Sequence, residues 1–466
     1  MGFSWQNDSV YSYCGILRMD NIIEKKISLK HKIPVNLLNA GIYINSELKK
    51  NNFQCYLVGG SVRDLLLEKT ISDLDFTTDA TPKDVMKIFP HCVPIGAAFG
   101  TVLVVYKKIS IEITTFRTET DYLDGRRPSK VNFGKDLHED VIRRDFTVNG
   151  LAYDLDNEIL YDHVNGLEDL RAKIIKTIGD PYERFREDGL RPIRGCRFMA
   201  ALNFMMEAET ESAIKKTVNI VSQVATERFF DEWRKTLNIK RKDIFWNALK
   251  INGIFVLFFE EFKALQQNSS RWNLLMKIIS EVKVKNMAIY AACFFYIEFI
   301  YSENHHEQNN ITYPLLHKFC KRSRFPAKIE KLAFQLLKSP FLQIFKKTPE
   351  RPTNTFELKK AISSSGLSDL WSHIRFASMI TKLCYGTKPD NQKKFFLTIK
   401  HIIRKEEPLF IKDLKINGHD LQNMGYQGKE IANINRHLLD IVLENSGEND
   451  RENLLKIAKN IRNDNI

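Results

Sequence analysis

The segment VGGSVRD, residues 58–64, followed by DLD, residues 73–75, decides the fold of the first third of the chain. The apolar run that ends at Val58 predicts a β-strand, and the two glycines after it predict a tight turn. Ser61 can cap a helix that begins directly after this turn. The residues from Asp73 onward are typical of another strand. We therefore predict a strand–turn–helix–strand unit within a mixed α/β region.

Two carboxylates of this unit are candidate metal ligands. Residues i and i+2 of a strand face the same side, so Asp73 and Asp75 are expected to present their side chains together. Carboxylate oxygens suit Mg²⁺, and a pair of such ions can clamp the attacking and leaving oxygens of a phosphoryl transfer. The Gly59-Gly60 turn would let backbone amides approach a phosphate, and Arg63 could hold a triphosphate oxygen. The combination predicts a metal-dependent phosphoryl-transfer site.

These residues resemble the signature of the nucleotidyltransferase superfamily typified by DNA polymerase beta, in which a Gly-Gly turn precedes an Asp-x-Asp pair. The longer string GGSVRD, residues 59–64, resembles the class II tRNA nucleotidyltransferases and the bacterial poly(A) polymerases. The resemblance implies that both aspartates are catalytic and bind the metal, and that Gly60 and Arg63 contact the nucleotide. A third candidate carboxylate is Glu112, which lies in a predicted strand.

A second group of candidate residues lies in the segment RRDFTVNG, residues 143–150. It resembles the family's RRDFTxN motif, which implies contacts with the sugar and the phosphates of the incoming nucleotide. Arg144 supplies a planar guanidinium for phosphate oxygens, and Asp145 can accept a hydrogen bond from a ribose hydroxyl. The alternative for these charges is an ion pair that caps a helix.

A third group lies in the segment REDGLRPIRGCRF, residues 186–198. Asp188 and Arg191 are expected to share one helix face, and Arg194 and Arg197 continue that stripe. Cytosine and adenine both present an amino donor beside a ring-nitrogen acceptor, which an Asp acceptor beside an Arg donor complements. The resemblance implies that the first two residues read the base of CTP or ATP and that the two later arginines hold the triphosphate. A glycine and a proline within the segment predict a local irregularity in this helix.

Composition favours an anionic partner. The 466 residues carry a formal net charge of +13, which favours nucleic acid or an anionic membrane surface, although a solvated lysine-rich surface is equally compatible. The seven cysteines form no CxxC pair, which argues against an ordinary zinc site and favours a reducing compartment. The first 20 residues lack an apolar signal segment, and the most apolar run, residues 287–300, is too short to span a bilayer. We therefore expect a cytoplasmic protein without a membrane partner.

The predicted fold class is α+β, because strand signals give way to helical periodicity near residue 179. The predicted domains are an N-terminal extension over residues 1–33, a nucleotidyltransferase head with a small mixed β-sheet over 34–178, a helical neck for base recognition over 179–250, a helical body over 251–405, and a helical, RNA-binding tail over 406–466.

Local patterns in the head predict four further features. A helix is expected over residues 34–51, and another begins at Thr81-Pro82. A hairpin is expected around Lys107-Lys108. Residues 117–137 show no apolar period and are predicted to form a long loop.

The resemblance implies addition of CCA to the 3′ end of tRNA from CTP and ATP, with Mg²⁺ as cofactor. The segment GAAFGT, residues 96–101, favours this reaction, because the poly(A) branch tends to carry basic residues after the glycine. Addition of the terminal A alone and bacterial poly(A) synthesis stay open as alternatives. A catalytically inactive RNA-binding protein is a further alternative, but it would be expected to lack Asp73, Asp75 or Arg191. The sequence leaves the oligomeric state open.

Overall fold

The computed structural model describes residues 16–19, 22–122, 128–300, 308–346, 354–387 and 389–463. The chain forms two compact units, Met1–Phe258 and Phe259–Ile466. Within the described residues, all strands and all three motif segments lie in the first unit, and the second unit is helical. The α+β prediction is therefore confirmed.

The first unit is built on a mixed β-sheet. Its described strands, with two smaller ribbons, are β1 (Ile16–Met19), β2 (Ile22–Lys26), β3 (Cys55–Val58), β4 (Asp75–Thr78), β5 (Cys92–Gly96), β6 (Thr101–Tyr106), β7 (Ile109–Thr115), β8 (Arg117–Tyr122), β9 (Pro128–Phe133), β10 (Leu151–Asp154), β11 (Ile159–Asp162), β12 (Ile174–Ile175) and β13 (Met205–Met206). The main sheet has the order β1-β2-β11-β10-β3-β4-β7-β6-β5. Its neighbours run antiparallel except β4 and β7, which run parallel. Strand β2, from the predicted N-terminal extension, pairs with β11.

The first unit also contains helices, some of which pack on the sheet. Those described in the first unit are α1 (Val35–Lys50), α2 (Gly60–Leu66), α3 (Pro82–Ile88), α4 (Leu137–Ile142), α5 (Gly166–Ala172), α6 (Pro181–Glu187), α7 (Arg191–Leu202), α8 (Ala208–Lys216), α9 (Val218–Val221), α10 (Thr226–Thr236), α11 (Lys242–Ile251) and α12 (Phe255–Phe258). Helix α1 buries Leu37, Ile44 and Leu48, which recur at helical spacing, in the core beneath the sheet.

Three of the predicted local features are confirmed. Helix α1 matches the predicted helix over residues 34–51. Thr81 caps α3 through a reciprocal pair of hydrogen bonds with Asp84. The hairpin of β6 and β7 turns at Lys107 and Lys108, which adopt φ values of 46° and 68°.

The Gly-Gly turn forms, but its cap differs from the prediction. Gly59 adopts a φ of 70° and caps α2, in a region of backbone space that favours glycine. Ser61, which was the predicted cap, lies inside the helix instead. Its Oγ donates to the carbonyl oxygen of Asp73 at 3.3 Å. Ser61 therefore ties α2 to the segment that enters β4.

The prediction of a long loop over residues 117–137 is wrong for the described part of this range, and residues 123–127 lie outside the described residues. Strands β8 and β9 form an antiparallel ribbon, and α4 begins at Leu137. The guanidinium of Arg117 donates to the carbonyl oxygen of Phe99, and the amide of Gly134 donates to the carbonyl oxygen of Phe116 at 2.8 Å. A two-stranded ribbon is held by its own ladder of backbone hydrogen bonds, so hydrophobic periodicity is a weak guide to it.

The predicted irregularity in the 186–198 segment is confirmed, and it is a complete break. Helix α6 ends at Glu187 and α7 begins at Arg191. A Cβ on Gly189 would lie 2.9 Å from the carbonyl oxygen of Ile220, so a side chain there would collide with the backbone. Pro192 lies in the first turn of α7, where its missing N–H removes no helical hydrogen bond.

The described helices of the second unit are α13 (Lys263–Gln267), α14 (Ser269–Glu281), α15 (Met287–Phe295), α16 (Gln308–Arg322), α17 (Ala327–Leu337), α18 (Pro340–Lys346), α19 (Thr355–Ser365), α20 (Leu370–Tyr385), α21 (Pro389–Arg404), α22 (Gly418–Asn423), α23 (Lys429–Glu444) and α24 (Arg451–Asn463). Every residue of α15 is buried, as expected for the most apolar run. None of the helices in the described ranges has the length and apolar character needed to cross a membrane.

Candidate active site

The acidic centre lies at the start of β4. Asp75 is the first residue of β4 and the register partner of Glu112 on the parallel strand β7, so both side chains leave the same face of the sheet. Asp73 is exposed and precedes the strand, which corrects the expectation that both aspartates belong to one strand. Burial raises the pKa of Asp75 to about 6, with further contributions from the charges of Asp73 and Glu112. The cation of Arg144 opposes this rise in pKa.

This set of donors fits a hard divalent cation. Because neighbouring carboxylates raise the pKa of Asp75, a cation between them would stabilise its ionised form. Within the described ranges, no three Asp, Glu, His or Cys side chains already form a group that could hold a metal ion. A hard divalent cation can be held by one or two carboxylates, with water and phosphate oxygens completing its shell.

The Gly-Gly turn lies against the second motif. A Cβ on Gly59 would be 3.6 Å from Nη1 of Arg144, so the guanidinium lies beside the turn. Asp140, which is fully buried, accepts from Arg144 Nη2 at 2.9 Å and from Thr77 Oγ1 at 3.3 Å. Burial raises the pKa of Asp140, but the cations of Arg144 and Arg143 outweigh it and hold the pKa below its usual value. Asp140 was not a sequence candidate, although it lies one helical turn before Arg144.

Arg63 is directed into the protein. Its Nη1 donates to Asn149 Oδ1 at 2.6 Å, and its Nε and Nη2 donate to the carboxylate of Asp64 at 3.0 and 2.9 Å. The residue is only 8% exposed. In this arrangement Arg63 ties the turn to the second motif through Asn149, a residue of that motif to which the sequence assigned no role of its own.

Asp145 joins the second motif to α7. Its Oδ2 accepts from Nε and Nη2 of Arg194 at 2.8 and 2.6 Å. Its Oδ1 accepts from the amide of Phe146 at 2.8 Å and from Asn149 Nδ2 at 3.1 Å. Burial raises the pKa of Asp145, but the Arg194 cation and these hydrogen bonds outweigh it and lower the pKa to about 2. A contact of Asp145 with ribose stays a prediction.

One arginine of α2 and two of α7 gather around one aromatic ring. The guanidinium carbons of Arg63, Arg194 and Arg197 lie 5.4, 5.4 and 4.1 Å from the centre of the Phe198 ring. Glu232 on α10, whose side chain is 2% exposed, pairs with Arg197 and lies 3.9 Å from Arg194. Phe198 and Glu232 were not sequence candidates. Glu232 lies 35 residues from Arg197, beyond the reach of any local spacing rule.

Asp188 lies between α6 and α7 rather than on a helix face, which corrects the expected geometry. Its Oδ1 accepts from the amide of Leu190 at 3.0 Å. Its Oδ2 accepts from Nη2 of Arg228 on α10 at 2.9 Å. The carboxylate is therefore held in place by the break in the helix and by a neighbouring cation.

Arg191 is also engaged by its neighbours and is 7% exposed. Its guanidinium pairs with Glu187 and donates to the carbonyl oxygen of Arg184 at 2.8 Å. It also donates to the carbonyl oxygen of Arg143 at 3.2 Å, which brings it against the second motif. The structure thus brings Arg191 to the same region as Arg144. The N–H groups of Arg191 donate to acceptors of the protein itself.

Two parts of the chain match known protein families. Residues 55–176 match the family described as "Poly A polymerase head domain", and residues 203–266 match the family described as "Probable RNA and SrmB- binding site of polymerase A". The first match contains the acidic centre, the Gly-Gly turn and the RRDFTVNG segment. The second match begins C-terminal to the three motif segments and lies mostly in the helical part of the same unit.

The chain also resembles CCA-adding enzymes. It is 42% identical to the CCA-adding enzyme of Staphylococcus epidermidis over 224 residues, which cover 47% of this chain and 55% of that protein. It is 41% identical to the one of Staphylococcus haemolyticus over 240 residues, which cover 51% and 59%. The chain therefore spans only a little over half the length of these relatives. The Bacillus stearothermophilus CCA-adding enzyme in complex with CTP has a TM-score of 0.72 at 26% identity, covering 93% of this chain and all of that one.

Proposed function

We propose that this chain is a tRNA nucleotidyltransferase that adds CCA to the 3′ end of tRNA, with CTP and ATP as substrates and Mg²⁺ as cofactor. The observation that carries the proposal is the acidic centre, in which Asp75 and Glu112 lie on adjacent strands. The Arg144 cation acts on the pKa of Asp75 and also lies beside the Gly59 turn. The similarity to CCA-adding enzymes, one of them in complex with CTP, supports the choice of substrates.

In this proposal, Asp73 and Asp75 hold the divalent cation, with Glu112 beside them. When bound, the cation supplies positive charge to the phosphoryl oxygens at which negative charge collects. Arg144 holds the triphosphate next to the Gly59-Gly60 turn, whose backbone can approach a phosphate closely. These groups orient the nucleotide so that the 3′ hydroxyl of the RNA displaces pyrophosphate.

Base choice is assigned to Asp188 and Arg191. A carboxylate acceptor beside a guanidinium donor complements the pairing edges of cytosine and adenine, whereas guanine and uracil present the opposite polarity. Arg191 exchanges its contacts with Glu187 and backbone oxygens for the base when a nucleotide enters. Arg194 and Arg197 hold the triphosphate, and Asp145 orients Arg194 and accepts from the ribose.

The domain boundaries follow the same proposal: a head over residues 34–178, a neck over 179–250, a body over 251–405 and a tail over 406–466, after an extension over residues 1–33. The net charge of +13 supports an RNA partner, whose binding should weaken steeply with salt. Scattered cysteines and the tRNA substrate support a cytoplasmic location.

The test is incorporation of labelled CTP and ATP, separately and together, with Mg²⁺. The acceptors are tRNA without its terminal CCA, tRNA that ends in CC, and an unstructured oligonucleotide. Addition of CC from CTP followed by one A, on tRNA only, supports the proposal. Addition of A to the CC-ending tRNA alone indicates an A-adding enzyme, and a long A tail on any RNA indicates a poly(A) polymerase. RNA binding without incorporation indicates an inactive RNA-binding protein.

A further inference from the structure

Two histidines that play no part in the proposed function meet on the first unit. The Nδ1 atoms of His138 and His163 are 3.3 Å apart, and their ring centres are 5.2 Å apart. His138 is the second residue of α4, and His163 directly follows β11. The two residues are separated by 25 positions in the chain, so the tertiary fold creates the pair.

The backbone is held on both sides of the pair. The amide of His138 donates to Asp136 Oδ1 at 2.9 Å, at the cap of α4. On the other side, Asp162 is buried and its carboxylate accepts from the amides of Val164, Gly166 and Leu167 at 2.9 to 3.1 Å. Both imidazoles therefore extend from fixed positions, which lowers the cost of ordering them around a ligand.

The distance between the two nitrogens fits chelation of a transition metal. Two imidazole nitrogens at about 2.0–2.1 Å from one ion, at a tetrahedral angle, lie about 3.3–3.4 Å apart. We infer that His138 and His163 form a second metal site, which binds a borderline cation such as Zn²⁺, Ni²⁺ or Cu²⁺ through Nδ1 of both rings. Imidazole nitrogen suits these ions, whereas Mg²⁺ prefers oxygen, so the pair is chemically distinct from the acidic centre.

The electrostatics of the pair are compatible with this binding. Burial lowers the pKa of His163, the neighbouring His138 lowers it further, and the carboxylates of Asp136 and Asp162 oppose both. A lowered pKa favours the neutral ring, which is the form that binds a metal. The carboxylates of Asp136 and Asp162 also contribute negative charge near His163.

The site has two protein ligands, and water completes the shell. No group of three or more His, Cys, Asp or Glu arranged for a metal occurs in the part of the chain that the structure describes. His163 Nε2 is buried and has no hydrogen-bond partner there, so no acceptor fixes the ring from behind. Because such partners strengthen metal binding, we expect moderate rather than tight affinity. An ion at this site bridges α4, which leads to Arg143 and Arg144, to the segment that enters α5.

The test uses the untagged full-length chain with Mg²⁺ in excess. Ni²⁺ binding is measured by calorimetry for the wild type, for His138→Ala and for His163→Ala. His31→Ala is the matched control, because His31 is an exposed histidine of the same unit. Each variant of the pair should bind Ni²⁺ at least about tenfold more weakly, and the control should bind like the wild type. Equal affinity in all four proteins overturns the inference.

A second measurement identifies the ligands directly. Electron paramagnetic resonance of one equivalent of Cu²⁺ should show coupling to two imidazole nitrogens in the wild type and to one in His138→Ala. His138 is exposed, so this variant is expected to fold even if His163→Ala does not. A wild-type spectrum with one imidazole or none refutes the pair as a site. Both readouts are independent of nucleotide incorporation, so they stand or fall separately from the proposed function.

Discussion

Arg194 on α7 donates through both Nε and Nη2 to a single oxygen of Asp145, at 2.8 and 2.6 Å. The two residues are 49 positions apart in the chain. Their pairing joins the RRDFTVNG segment to the arginine-rich helix that follows the helix break. The Asp145 carboxylate thus positions Arg194, which is proposed to hold the triphosphate, and stabilises the junction between two motifs.

Asp145→Asn should lower the free energy of unfolding in a pH-dependent way. The pKa of Asp145 is lowered to about 2 in the folded chain, against about 3.9 for an ordinary aspartate. A lowered pKa contributes stability that is present above pH 4 and lost as the pH falls through 2, at most about 2.5 kcal/mol. Urea unfolding of wild type and variant at pH 7, 4 and 2.5 measures the difference, which should shrink at the lowest pH.

The control for this prediction is Asp231→Asn, which removes an exposed partner of Arg234. Its effect should stay within about 0.5 kcal/mol at every pH, as is usual for surface ion pairs. A difference between Asp145→Asn and wild type that is the same at pH 7 and 2.5 would contradict the assigned pKa.

Asp73→Ala and Asp75→Ala should each lower nucleotide incorporation by at least about a hundredfold, because each removes charge aimed at the transferring phosphate. RNA binding, measured by filter retention, should persist, because the carboxylates do not neutralise phosphates. Glu68→Gln is the control, since Glu68 is a largely exposed acid that follows α2 closely. Incorporation at the wild-type rate in either aspartate variant would refute the metal assignment.

Glu112→Gln tests whether the register partner of Asp75 is a third working carboxylate. If it is, incorporation should fall by at least about tenfold and the Mg²⁺ concentration needed for half-maximal rate should rise. The glutamine keeps the size of the side chain, so a folding defect is not expected. An unchanged rate and an unchanged Mg²⁺ requirement would show that Glu112 has no catalytic role.

Arg191→Ala should weaken the preference for CTP and ATP over UTP and GTP. Loss of a hydrogen bond from a charged donor costs about 1.5–3 kcal/mol, so the ratio of kcat/KM values should fall by about ten- to a hundredfold. Arg186→Ala is the matched control, because Arg186 is an exposed arginine at the end of α6. Unchanged selectivity in Arg191→Ala would remove the base-reading role.

Gly166→Ala should destabilise the first unit. A Cβ at this position would lie 2.3 Å from the carbonyl oxygen of Thr147, so the backbone would have to move. The expected loss is at least about 2 kcal/mol in the free energy of unfolding, measured with urea. Gly418→Ala is the control, since its Cβ would meet nothing closer than 3.7 Å. Equal stability of wild type and Gly166→Ala would show that the contact is relieved at no cost.

The local features of the chain could be read from the sequence because short-range sterics and hydrogen bonding decide them. Two glycines after an apolar run specified the turn at Gly59, and Thr81 with Pro82 specified a helix start. Gly189 and Pro192 predicted an irregularity where the structure has a break between α6 and α7. The Asp-x-Asp spacing and the basic segments also indicated the candidate metal-binding and nucleotide-binding side chains.

The tertiary structure alone decided how those side chains meet. Asp73 falls outside β4, and Glu112 becomes the partner of Asp75 only because β4 and β7 pair in parallel. The buried acid Glu232 is held among arginines that are distant in sequence. Such pairings depend on sheet order and helix packing, which bring residues together that are distant in the chain. The resulting ion pairs offset the cost of burying charge, and a local sequence pattern does not predict them.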